Sequence, residues 1–130
     1  MAVPFVGGVV MEQVCEGFAR VCRSVGVDVQ WCVEMPRSNP VVYCLTEPSP
    51  YALMAKGRKL CGFAIRAYAA AWLIQGSLLV RPLPEAIRAV MPEPVRFDYE
   101  TRAVCLEQAA GMAIADETLV NGVNHALRHV

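Results

Sequence analysis

Lys56-Gly57-Arg58-Lys59-Leu60-Cys61-Gly62-Phe63-Ala64-Ile65-Arg66, followed a few residues on by Trp72-Leu73-Ile74-Gln75-Gly76-Ser77-Leu78-Leu79-Val80, decides the fold. An apolar run, Ala52–Ala55, precedes it. Alternation on both sides of Lys56-Gly57-Arg58 predicts a β-hairpin over Tyr51–Arg66, because Gly accepts the positive φ that a tight turn requires. Continuing the two-residue period, Lys59, Cys61, Phe63 and Ile65 point to one face, and Leu60, Gly62 and Ala64 to the other. Trp72, Ile74, Gly76, Leu78 and Val80 share a face of the next strand. Small residues at Cys61, Gly62 and Ala64 leave room beside the backbone, where a long thin ligand can lie. Lys59 opens its strand beside that room, and an ammonium there can neutralise charge growing on an acyl carbonyl or a phosphate.

Upstream, Val10, Val14, Phe18, Val21 and Val25 recur at helical spacing, which predicts an amphipathic helix over Val9–Ser24 that Gly26 ends. Val3–Gly8 reads as a short lead-in, a strand end or an edge. Val27–Val33 alternates apolar with polar and reads as a half-buried strand. Pro36, Pro40, Pro48 and Pro50 then forbid a long helix, and so stiff a loop is more often functional than idle. It carries Cys44.

Downstream, Leu83-Pro84-Glu85 opens a short helix that Pro92 and Pro94 end by Met91. Phe97–Thr101 reads as a polar connector and Ala103–Ala110 as a helix stopped by Gly111. Asp116 is expected to cap a final helix, Glu117–His129, with Leu119, Val123, Ala126 and Leu127 inward. The expected fold is α/β, or α+β in the layer sense: a small mixed or antiparallel sheet backed by about two to four helices.

Residues 1–130 have the length of one domain. Hydrophobic residues make up 55% and charged ones only 18%, so either the chain packs very fully or apolar surface awaits a partner. The formal charge of +0, with no basic tract, gives electrostatic binding of nucleic acid no support. No apolar run approaches the roughly 18 residues that span a bilayer. Met1-Ala2-Val3-Pro4 lacks the positive region of a secretory signal, so a cytoplasmic location is expected.

The six cysteines form no Cys-x-x-Cys pair, so no zinc or redox motif is read and no metal is expected. Five of them sit inside apolar patterns and read as small buried hydrophobes. Cys44 differs, because it lies in the proline-rich segment. His125 and His129 are spaced i, i+4, but no carboxylate or Cys lies within helical reach on that face, and the dipole alone favours them there. Glu12 and Glu16 read as a solvated face, and Trp31 and Trp72 as core aromatics. Arg58 is a turn residue by position; its guanidinium can also contact a phosphate or an acceptor protein.

Gly57-Arg58-Lys59-Leu60-Cys61-Gly62-Phe63-Ala64 followed by Gln75-Gly76-Ser77-Leu78-Leu79 resembles the Gly-Arg-Lys-hydrophobic-small-Gly-Ser-Ala…His-Gly-Ser pattern of the lipoate–protein ligase and octanoyltransferase family. Cys44-Leu45-Thr46-Glu47-Pro48-Ser49-Pro50-Tyr51, with its Cys fifteen positions before Lys59, is similar to the branch that draws on octanoyl carrier protein. That resemblance implies a biotin/lipoate ligase-like architecture and transfer of an octanoyl or lipoyl group to a lysine of a lipoyl-accepting protein. It implies Cys44 as the nucleophile and Lys59 as the lysine lining the acyl site. Arg58, Gly62, Ala64, Gln75, Gly76 and Ser77 would line the substrate. No covalently bound cofactor is implied; the substrates are octanoyl carrier protein thioester, or lipoate with ATP.

Phe63 stands where the pattern has Ser, Ile65 where Gln is common, and Gln75 where His precedes Gly-Ser. Each change removes or alters a polar group. The family's Arg-Arg-x-x-Gly-Gly segment has no counterpart, since no arginine pair precedes Gly7-Gly8. The chain therefore resembles the second half of a catalytic domain, and a complementary amino-terminal half-domain chain or a homo-oligomer is expected. The alternative is a non-catalytic binding or relic subunit of a split complex.

Overall fold

The computed structural model describes residues 3–31 and 51–128, with side chains from residue 10 onward in the first of these segments. Nine elements follow in order: α1 (Val3–Ser24), β1 (Gln30–Trp31), β2 (Leu53–Ala55), β3 (Arg58–Ala67), β4 (Trp72–Leu78), α2 (Glu85–Val90), α3 (Glu93–Arg102), α4 (Leu106–Ala110) and α5 (Asp116–Leu127). Among the described residues the strands form one open antiparallel sheet of four, ordered β1-β2-β3-β4. This is the mixed helix-and-sheet fold that the patterning predicts.

The hairpin turn is a two-residue loop. Ala55 faces Arg58 across it, and Lys56 and Gly57 both take positive φ, 53° and 76°. That combination is the type I′ turn, whose twist matches the strands it joins.

α1 lies against β3 and is crossed by α5. On the sheet side, the Phe18 and Phe63 rings meet edge to face with centroids 5.0 Å apart. On the other side the helices approach through small residues: a Cβ at Gly17 would stand 3.2 Å from that of Ala126, and one at Gly122 would stand 3.4 Å from Val21 Cγ1. Cys22, Val29, Leu53, Leu60, Cys61, Leu106 and Leu119 share the core between these layers. At Gly122 the new methyl would be in ordinary contact, and Ala exceeds Gly in helix propensity by about 1 kcal/mol. Gly122→Ala is therefore expected to raise the thermal midpoint by a few degrees in a circular-dichroism melt; a lower midpoint would show that the helices cannot accept one methyl there.

Several expectations are corrected. α1 begins at Val3 rather than Val9, and so takes in the presumed lead-in; Pro4 sits in its first turn, where a missing N–H costs nothing. The strand expected over Val27–Val33 is paired only at Gln30–Trp31 among the described residues, although Val27 and Val29 are buried.

Pro92 and Pro94 do end α2, but they also start another helix. Pro92 is the N-cap of α3 and Pro94 lies in its first turn, so Phe97–Thr101 is helical rather than a connector. The described chain consequently has five helices, one more than the upper end of the expectation. Ala103 bridges to Lys59 in parallel, and α4 starts only at Leu106, with the Cys105 side chain accepting from Gln108 N as a cap. Ala115, not Asp116, is the N-cap of α5; Asp116 is its first residue and pairs with Arg81 at 2.8 Å.

Candidate functional site

β3 is irregular where the sequence pattern is regular. Leu53 pairs with Cys61 but its neighbour Met54 pairs with Lys59, so Leu60 is an extra residue in β3. The hydrogen bonds agree. In an even strand successive carbonyls point to opposite edges, yet Lys59 O accepts from Val104 N (3.0 Å) and Leu60 O from Leu79 N (3.0 Å), neither of them in β2. Leu60 and Cys61 consequently both enter the core, at 2% and 1% exposure.

The bulge reverses the alternation before it. Lys59 does not share a face with Cys61 and Phe63: a Cβ built at Gly62 would stand 2.9 Å from Lys59 Cε and 3.0 Å from its Nζ. The lysine therefore runs across Gly62, on the face turned away from α1. β3 and β4 pair without interruption from Cys61↔Leu78 to Ala67↔Trp72, setting Gly62 opposite Ser77 and Ala64 opposite Gln75. Period two puts these four on the lysine's face. Ala64, Gln75 and Ser77 are exposed there, and Gly62 is half-buried.

Five of the residues singled out in the sequence (Lys59, Gly62, Ala64, Gln75 and Ser77) thus lie together on one face of a hairpin. Gly76 does not join them. It faces α1, where the Phe63 ring lies over it and would clash with any Cβ, at 2.5 Å from Cδ1. Phe63 is the same cross-strand pair seen from the other side, an aromatic ring covering a glycine. Arg58 turns to α3, where its Nη2 donates to the Glu100 carbonyl. Cys44, Cys32 and His129 lie outside the described residues.

Lys59 is 7% exposed, the buried charged side chain among the described residues. Its strand is held where it emerges. Ala103-Val104 fills the edge that β4 vacates, and Leu106 N and Glu107 N continue the contact by donating to Leu79 O (2.8 Å) and Val80 O (3.0 Å). Arg81 fixes the next segment, with Nη2 donating to Ile114 O at 2.7 Å and Nε 3.4 Å from Glu107. Glu107 in turn accepts from Ile114 N at 2.6 Å.

Cys15, Cys22 and Cys61 offer no nucleophile. Burial pushes Cys61 far up, with Cys22 and Cys15 adding to the rise and Lys59 opposing it. Burial likewise raises Cys15 to about 12, with Glu12 adding to it, and Cys22 to about 11. Thiols so shifted stay protonated at neutral pH, in keeping with their reading as small hydrophobes. No cluster of three or more His, Cys, Asp or Glu able to hold a metal occurs among the described residues. No helix among them is long and apolar enough to cross a membrane.

Reading by period alone missed the bulge, the docking of residues 103–104 beside Lys59, and the Arg81 cluster. One signal of the bulge was available: an isolated glycine inside a strand pattern, Gly62, marks a bulge or a close approach, and here it marks both.

Compared with known proteins, the chain is similar to the octanoyltransferase LipM of Kyrpidia tusciae. The two are 29% identical over 134 aligned residues, which take in 88% of this chain and 48% of the relative. The chain thus spans about half the length of the curated relative it matches. No model of a protein family matches it, and no solved structure does.

Proposed function

We propose that this chain is an acyltransferase-type domain of lipoate metabolism, moving an octanoyl or lipoyl group to a lysine of a lipoyl-accepting protein. It would act together with a segment corresponding to the rest of the relative's length. The observation that carries this reading is the turned lysine: the bulge sets Lys59 over a strip of small and polar side chains, Gly62, Ala64, Gln75 and Ser77, on one sheet face. A strip without bulky side chains suits an extended acyl chain, and a cation at its head suits the carbonyl end.

In this mechanism the Cys44 thiolate attacks the carbonyl carbon of an octanoyl thioester. The tetrahedral oxyanion forms within reach of the Lys59 ammonium and collapses with loss of the carrier's thiolate, which takes up a proton. The ε-amine of the acceptor lysine then attacks the Cys44 thioester, loses a proton, and expels the Cys44 thiolate as the amide forms. An unperturbed thiol is only about a few per cent ionised at pH 7, so positive charge beside Cys44 favours the first step. Arg58 and Gly76, set apart from the strip, act through the fold in this reading rather than on the acyl chain.

The test is intact mass after incubation with octanoyl carrier protein. Wild type is expected to gain one octanoyl group that hydroxylamine removes, and Cys44→Ser none. Transfer that needs lipoate and ATP, with no adduct on Cys44, would replace the thioester route by ligase chemistry. If a complementary segment is bound and neither reaction occurs, the chain is a non-catalytic subunit.

A further inference from the structure

We propose that Gly62, at the head of the strip, is a positioning residue for Lys59, its bare α-carbon being the gap through which the lysine crosses the sheet face. The proposal gives Gly62 a physical task that the sequence pattern does not, and its consequence for catalysis rests on the acyl-transfer reading above. Two local facts combine. The bulge at Leu60 turns Lys59 towards the exposed face, and Gly62 is where its chain then passes, with Cε and Nζ at 2.9 and 3.0 Å from the position of a Cβ. Apolar atoms in ordinary contact stand about 3.5–4.0 Å apart, so a methyl at Gly62 forces a movement of roughly 0.5–1 Å.

The backbone is poorly placed to make that movement. Gly62 is paired to Ser77, Cys61 beside it to both Leu53 and Leu78, and Lys59 O is held by Val104 N. The lysine end is a flexible chain with the low stiffness of any methylene stem. The ammonium therefore moves and the strand stays. Alanine is in addition the better strand residue, since glycine in a strand interior loses more entropy on folding. Gly62 is thus expected to matter for where Nζ sits and hardly at all for stability. Gly76, across the hairpin, is the reverse case: its neighbour is a packed ring rather than a flexible end.

The experiment uses the full chain and Gly62→Ala, labelled briefly with an amine-acylating succinimidyl ester and read peptide by peptide. Lys56, exposed in the turn, serves as internal standard. Gly62→Ala is expected to keep the wild-type melting temperature to within a few degrees while the Lys59-to-Lys56 labelling ratio rises severalfold, because a methyl in the gap lifts a side chain that is 7% exposed off the sheet face towards the reagent. An unchanged ratio in a folded variant overturns the proposal. If Gly62→Ala does not fold, Gly62→Ala/Lys59→Ala removes the collision: recovery of the fold supports the proposal, and continued failure overturns it. Octanoylation of Cys44 in the same samples separates the two readings. A raised ratio with slower octanoylation than wild type supports both. A raised ratio with no octanoylation of wild type keeps the positioning role and removes the acyl-transfer reading.

Discussion

On the acyl-transfer reading, replacing Lys59 by methionine is expected to cut the rate of octanoyl transfer to Cys44 by about 100-fold or more in a variant that still folds. The two halves of this expectation have separate causes. A donor aimed at a developing oxyanion is worth roughly 10²–10³ in rate, because it acts on charge that the ground state does not carry. Stability responds otherwise. Lys59 is 7% exposed, and an ionised group in such surroundings gives up much of its hydration on folding. Methionine fills a similar volume with no charge to desolvate but gives up the ammonium's own interactions, so the two contributions to stability oppose one another. Stopped mass spectrometry of the octanoyl adduct and a thermal melt measure the two. A variant that transfers at the wild-type rate would remove Lys59 from the chemistry. One that unfolds would make it a structural residue instead.

Gly76→Ala is expected to cost about 1–3 kcal/mol, the usual range for overpacking, or some 4–12 °C in melting temperature for a chain of this size. Its Cβ would fall 2.5 Å from Phe63 Cδ1 and 2.6 Å from Cε1. The ring cannot swing away freely, because its other side meets Phe18 with centroids 5.0 Å apart. Pairing the change with Phe63→Leu supplies the control. Leucine leaves room for the methyl, so the double variant is expected to be more stable than the sum of the single changes predicts, by about 1 kcal/mol. Strict additivity would show that the ring and the glycine are not in contact. The same pair accommodates Phe63: its ring belongs to the α1 side and leaves the lysine's face untouched.

Much of this architecture is legible in the residues. The Lys56-Gly57 turn is readable from Gly57 and from the alternation on either side of it, while the positive φ of Lys56 is not, and α1 and α5 are readable because apolar residues recur with the helical period. What escapes is what periodicity does not encode. Proline's stopping power and its comfort in a first turn come from the same missing N–H, and at Pro92 and Pro94 both apply, one helix ending where the next begins. The bulge escapes for a related reason. One inserted residue leaves the composition of a strand unchanged while exchanging the faces of Lys59 and Leu60, so reading by period sets Lys59 with Cys61 and Phe63, on the wrong side of the sheet. Burial of Cys15, Cys22, Cys61 and Cys105 follows from their apolar neighbours. Cys44 falls in the segment outside the described residues, and its role rests on the resemblance of the segment that carries it.

The hydrogen bond from Val104 to the Lys59 carbonyl also dictates an order of assembly. The hairpin is local and closes early, whereas its lysine is pinned only once a piece of chain made much later has docked beside it. During synthesis the ribosome must therefore release residues 103–104 before that carbonyl is held. A nascent chain halted after β4 would own every residue of the strip, with its lysine already turned by the bulge, and still lack the contact that fixes the strand beneath it.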